Sequence, residues 1–140
     1  MKEITIVAPN EVGALAEIAT VLGNNGINID SISAQGFGEV GIIRLITSDV
    51  NSAMKVLERF AASKEGYDVS SSDVISISLH DKPGELGKIT RMIARAGVNL
   101  ECVYQLKRYE GKTELVVKTT DIDKTIEALK SEGIEFKVGH

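Results

Sequence analysis

In the segment His80-Asp81-Lys82-Pro83-Gly84-Glu85-Leu86, a carboxylate, a proline and a glycine stand within four positions. Before it, Val74-Ile75-Ser76-Ile77-Ser78-Leu79 alternates as a strand. After it, Leu86, Ile89, Met92 and Ile93 recur at helical spacing. A strand therefore runs into a helix through a tight turn. Proline suits the start of that helix, where its missing N–H costs nothing. Gly84 would let a ligand approach the backbone without a side chain in the way. The N–H groups of the first turn lack partners inside the helix and favour a negative group. The chemistry on offer is the seating of a small carboxylate.

The elements that hold this turn occur twice. Setting Gly13 on Gly84 also matches Ile4 with Ile75, Ile6 with Ile77, Leu15 with Leu86 and Ile18 with Ile89. Gly26 then falls on Gly97 and Asn28 on Asn99. One inserted residue later, Asp49 falls on Asp121 and Leu57 on Leu129. The chain reads as two copies of one unit, 1–70 and 72–140, with Ser70-Ser71-Ser72 as a short joint.

Each copy reads β-α-β-β-α-β. In the first, Glu3–Val7 is a strand and Asn10-Glu11-Val12-Gly13 the turn. A helix follows with Leu15, Ile18, Ala19 and Leu22 inward, ending at Asn24-Asn25-Gly26. Strands follow at Ile27–Ala34 and Val40–Thr47. Ser48 or Asp49 caps a second helix with a stripe of Val50, Ala53, Met54 and Leu57, and Tyr67–Val69 is a last short strand. The second copy gives strands at Val74–Leu79, Val98–Leu106, Thr113–Lys118 and Glu135–Val138, and helices at Glu85–Ala96 and Asp121–Glu132. In both copies the apolar alternation slips by one residue, at Ile27/Ile29 then Ile32, and at Val98/Leu100 then Val103. A β-bulge accounts for the slip. The fold class is α+β: two ferredoxin-like units, antiparallel sheets with helices on one face, expected to join as one eight-stranded sheet.

The composition bounds the function. With 43% hydrophobic and 26% charged residues the chain is globular rather than disordered. A net charge of −4 and the lack of a basic run argue against nucleic acid and anionic membrane. No apolar stretch reaches the length of a membrane span. Met1-Lys2-Glu3-Ile4 leads straight into a strand pattern, so no leader is expected. Cys102 is the one cysteine, which fits a reducing cytoplasm.

Asp81-Lys82-Pro83-Gly84-x-Leu86 followed by Gly97-Val98-Asn99-Leu100, with Asn10-Glu11-Val12-Gly13-x-Leu15 and Gly26-Ile27-Asn28-Ile29 in the first copy, resembles a tandem pair of ACT domains. These are small regulatory modules that bind amino acids. The resemblance covers nearly the whole chain and is similar to stand-alone pairs without a catalytic domain. It implies a ligand at a seam between units, held by the first β-α turn of one and the start of the second strand of the other. By position those are Asn10, Val12 and Gly13 with Asn28, and Asp81, Pro83 and Gly84 with Asn99. Backbone N–H groups at the helix start would hold an α-carboxylate. Asp81 would pair with the ammonium, and Asn99 has a donor and an acceptor for either group. On this reading the second-copy turn is the better site, because Asn10 offers a dipole where Asp81 offers a charge. Two departures stand out. Some serine-binding members have a His where this chain has Leu79, beside His80, and the first-copy turn has Val12 where the motif has its proline and Asn10 for the aspartate.

Each of these residues also has a purely structural use. Gly13 and Gly84 serve a tight turn, Asp81 a helix cap, and Asn28 and Asn99 a helix exit. His80 reads as a solvated loop residue, His140 as a chain end and Cys102 as a small buried residue. Two histidines and one cysteine far apart make no metal site, and nothing calls for a cofactor. No catalytic triad or phosphate-binding loop is visible, so an enzyme is not expected. The expected function is the sensing of a small amino acid, with the state passed to a partner enzyme or a second copy. The alternatives are an interaction subunit with no ligand of its own and, more remotely, a small enzyme.

Overall fold

The computed structural model describes residues 1–138, and His140 lies outside the described residues. The chain divides after Ser72 into two compact units. The first contains β1 (Lys2–Pro9), α1 (Ala14–Asn24), β2 (Ile29–Phe37), β3 (Val40–Thr47), α2 (Val50–Ala62) and β4 (Asp68–Asp73). The second contains β5 (Ile75–His80), α3 (Glu85–Arg95), β6 (Leu100–Tyr109), β7 (Lys112–Thr119), α4 (Ile122–Ser131) and β8 (Phe136–Lys137). Among the described residues no helix is long and apolar enough to cross a membrane.

The β-α-β-β-α-β order read from the repeat is present in both units. The strand orders are β2-β3-β1-β4 and β6-β7-β5-β8, with β1 and β5 each in an inner position beside an antiparallel partner. The strands hydrogen-bond as two four-stranded sheets, where the sequence reading expected one joined sheet of eight. Each copy supplies the four strands of one sheet. The edge strands β2 and β6 are also bulged, which bends an edge away from flat continuation.

Alternation along β1 points Ile4, Ile6 and Ala8 to one face, where they meet Ile18 and Leu22 of α1 and Ala53 and Leu57 of α2. In the second unit Ile75, Ile77 and Leu79 meet Ile89, Met92 and Ile93 of α3 and Leu129 of α4. Each such leucine or isoleucine fully withdrawn from water contributes about 1.5–3 kcal/mol. Asp49 caps α2 by accepting from the Ser52 N–H at 3.1 Å, and Asp121 caps α4 from the Lys124 N–H at 3.1 Å. The Ser52 N–H, foremost among several donors, lowers the Asp49 pKa.

Three local readings change. The serine run lies inside β4, because an alternating polar edge strand has the same composition as a linker. Pro83 precedes the helix by two residues, since Gly84 occupies the N-cap of α3. Leu15 and Leu86 stay 40% and 50% exposed although they share the apolar side of their helices. They stand in the first turn, at the sheet's end, and line the spaces beside the β-α turns. The bulges fall where the phase slip put them, between Ile29 and Ser31 and between Leu100 and Cys102. β6 has a second register shift, between Gln105 and Lys107.

Candidate functional site

Both β-α turns are built on a left-handed glycine. Gly13 has φ +88° and Gly84 φ +89°, each at the N-cap, and no side chain caps α1 or α3. A residue with a Cβ is strained in that conformation. These glycines are therefore required by the backbone whatever binds beside them. Neither turn gives its polar residue the capping role, because each is tied instead to the following hairpin.

In the first unit the Asn10 N–H donates to the Glu39 carbonyl at 2.9 Å, and Asn10 Nδ2 donates to the Gly38 carbonyl at 2.9 Å. The side chain lies over Gly36, so close that a Cβ there would stand 2.6 Å from Nδ2. Beside it opens a cavity of about 190 Å³. Its apolar wall is made by Ala8, Ala14, Leu15, Ala34 and Ile43, and its polar groups are Asn10, Glu11 and Gln35. With Nδ2 committed to Gly38, the acceptor Oδ1 of Asn10 remains available to a donor. The start of α1 lies at the same place, where the helix dipole favours an anion.

The second unit places different groups on the same frame. The Asp81 N–H donates to the Gly111 carbonyl at 3.0 Å, as its counterpart does to Glu39. The Asp81 carboxylate accepts from Arg108 Nε at 2.7 Å and forms an ion pair with the same guanidinium. Gly36 faces Gly41 across its hairpin, and Arg108 faces Thr113, the residue that corresponds to Gly41. Arg108 therefore occupies the place of Gly36. Leu79 stands where the first unit has Ala8, and with Leu86 and Leu115 it borders a small apolar space of about 10 Å³ that runs inward to Ile93, Val103 and Val117. Clefts of about 320 and 240 Å³ run along other sides of α3, lined by Lys88, Arg91 and Arg95 and by His80, Glu85 and Glu135. Neither takes its lining from Asp81, Pro83, Gly84 or Asn99. In the second of these clefts Lys112 donates to Glu135 at 3.0 Å, and that hydrogen bond raises its pKa. The Asp81–Arg108 pair is itself exposed, with 35% and 65% of the two side chains accessible. Such a pair contributes about 0.2–1 kcal/mol.

Asn28 and Asn99 precede β2 and β6 and fasten them to the chain leaving β3 and β7. The Asn28 N–H donates to Ser48 Oγ at 3.1 Å and the Ser48 N–H returns to the Asn28 carbonyl at 3.0 Å. Asn99 makes the same two bonds with Thr120, at 3.1 and 3.0 Å. Asn28 Nδ2 also donates to Asp30 Oδ1 at 2.7 Å. Within one unit, Asn10 sits at the Phe37–Val40 end of the hairpin and Asn28 beyond the Ile29–Thr47 pair at the other. A strand of nine residues separates them, about 30 Å at 3.3 Å per residue. Val12 is fully exposed. Of the eight residues carried over by position, Asn10 lines the first-unit cavity. The alanines and Gly36 that shape it carry no polar signal. Comparing Ala8 with Leu79 across the repeat is the sequence observation that points to them.

A family described as an ACT domain pair matches residues 1–139. Among curated proteins none matches. A Bacteroides thetaiotaomicron protein of solved crystal structure is 29% identical, with a TM-score of 0.85 over 97% of this chain and 90% of that one. The ligand-free regulatory subunit of aspartate kinase from Thermus thermophilus is 18% identical, with a TM-score of 0.71 over 94% and 90%. The corresponding subunit from Thermus flavus is 18% identical, with a TM-score of 0.66 over 93% and 90%. With a match over almost its entire length and the duplicated β-α-β-β-α-β unit in place, the chain belongs to the ACT domain pair family.

Proposed function

We propose that this protein is a non-catalytic regulator that binds a small amino acid beside the first β-α turn and passes the bound state to a partner. The cavity next to Asn10 carries this reading. Its groups suit the two ends of a zwitterion: the start of α1 for the carboxylate, Glu11 and Asn10 Oδ1 for the ammonium. Ala8, Ala14, Ala34 and Ile43 leave room for an apolar side chain and supply no partner for a charged one. Two amides and one carboxylate make no nucleophile–base pair, which supports binding rather than catalysis. The partner is taken by analogy of fold: the Thermus protein is a regulatory subunit of aspartate kinase, so an enzyme of amino-acid metabolism is the class of partner to look for.

A second reading is an interaction subunit with no ligand, favoured by Ile32, Phe37 and Val40, which are 44%, 58% and 40% exposed on the β2–β3 hairpin. A thermal-shift screen of the twenty amino acids separates the two. Valine, isoleucine or alanine is expected to raise the melting temperature most. At 100 times its dissociation constant a ligand stabilises by about 2.7 kcal/mol. No shift with any of the twenty would favour the interaction subunit.

A further inference from the structure

We propose that each chain takes up one amino acid and not two, because Arg108 already fills the second copy's site from within. The inference rests on the binding reading above and concerns which of the two turns stays open. Asp81 is the carboxylate that stands where Asn10 stands in the first copy. It accepts from Arg108 Nε at 2.7 Å, which is the bond a ligand's ammonium would otherwise make. The arginine reaches it through the second register shift of β6, between Gln105 and Lys107, which brings Arg108 to the hairpin position held by Gly36 in the first copy. At Gly36 there is no side chain, Asn10 lies directly over the backbone, and a cavity of about 190 Å³ remains. In the second copy the guanidinium of Arg108 stands at that position, paired with the carboxylate that replaces Asn10.

A tethered group competes at an effective concentration of about millimolar. A free amino acid must therefore displace the guanidinium before its ammonium can pair with Asp81, while the first turn needs no such displacement. The duplication then has a division of labour. One copy senses, and the other keeps the same frame with its carboxylate already paired.

The test is isothermal titration calorimetry of the full chain with L-valine, run on the wild type, Arg108→Gly and Arg108→Gln. The wild type is expected to bind one valine per chain and both variants two, the added site depending on Asp81 and lost in Arg108→Gly/Asp81→Ala. Arg108 is largely exposed, so unchanged melting of the variants confirms that they fold. Two sites in the wild type, or one site still in both variants, would overturn the inference while leaving amino-acid binding intact. Absence of binding in all the proteins would overturn the binding reading for valine and this inference with it.

Discussion

The double variant Asn10→Asp/Gly36→Arg is expected to lose amino-acid binding by at least tenfold while keeping its fold. It transplants into the first copy the pair that occupies the second. A Cβ at position 36 would stand 2.6 Å from Asn10 Nδ2 and 2.9 Å from its Cγ and Oδ1, so any side chain there displaces Asn10. Asn10 is held by its bond to Gly38, and moving it removes both that anchor and the acceptor facing the cavity. The arginine would then lie across the cavity and pair with the new aspartate, as Arg108 does with Asp81. The φ of Gly36 is not in the left-handed region, so the backbone accepts the substitution. A tenfold loss corresponds to about 1.4 kcal/mol of binding free energy. Calorimetry with L-valine checks it, and an affinity equal to the wild type would remove Asn10 and Gly36 from the site.

Gly13→Ala and Gly84→Ala are each expected to destabilise the protein by about 1–2 kcal/mol, with or without amino acid present. At neither position would a Cβ meet a heavy atom within 4 Å, so the cost is conformational and not steric. With φ at +88° and +89°, an L-residue crowds its own carbonyl whatever the surroundings. The sequence reading gave these glycines two uses, sparing a ligand and making the turn, and the positive φ makes both glycines necessary to the turn. Denaturant titration of each variant measures the loss. A Gly84→Ala protein as stable as the wild type would show that the turn relaxes to negative φ and that the glycine serves something else.

The duplication was the most legible feature of the sequence, because Gly13/Gly84, Gly26/Gly97 and Asn28/Asn99 mark backbone turns that only a few residue types can make. The bulges were legible for a related reason: a slip in period-2 alternation is a geometric statement. The serine run was not, since Ser70–Ser72 satisfies a linker and a polar edge strand equally well. Arg108 was missed because sequence alignment sets it on Phe37. The single inserted residue before Asp121 was the available signal. It becomes the second register shift in β6, and that shift moves Arg108 onto Asp81. The expected preference for the second turn counted the charge of Asp81 without its partner, Arg108.

Where the amino acid sits can be measured directly by a ¹H–¹⁵N NMR titration of the intact chain with L-valine. Shifts are expected for the amides of Asn10 to Leu15 and Ala34 to Gly41, with the amides of Asp81 to Leu86 unmoved. Shifts confined to Asp81–Leu86, or equal in the two turns, would contradict the assignment of the ligand to the first copy.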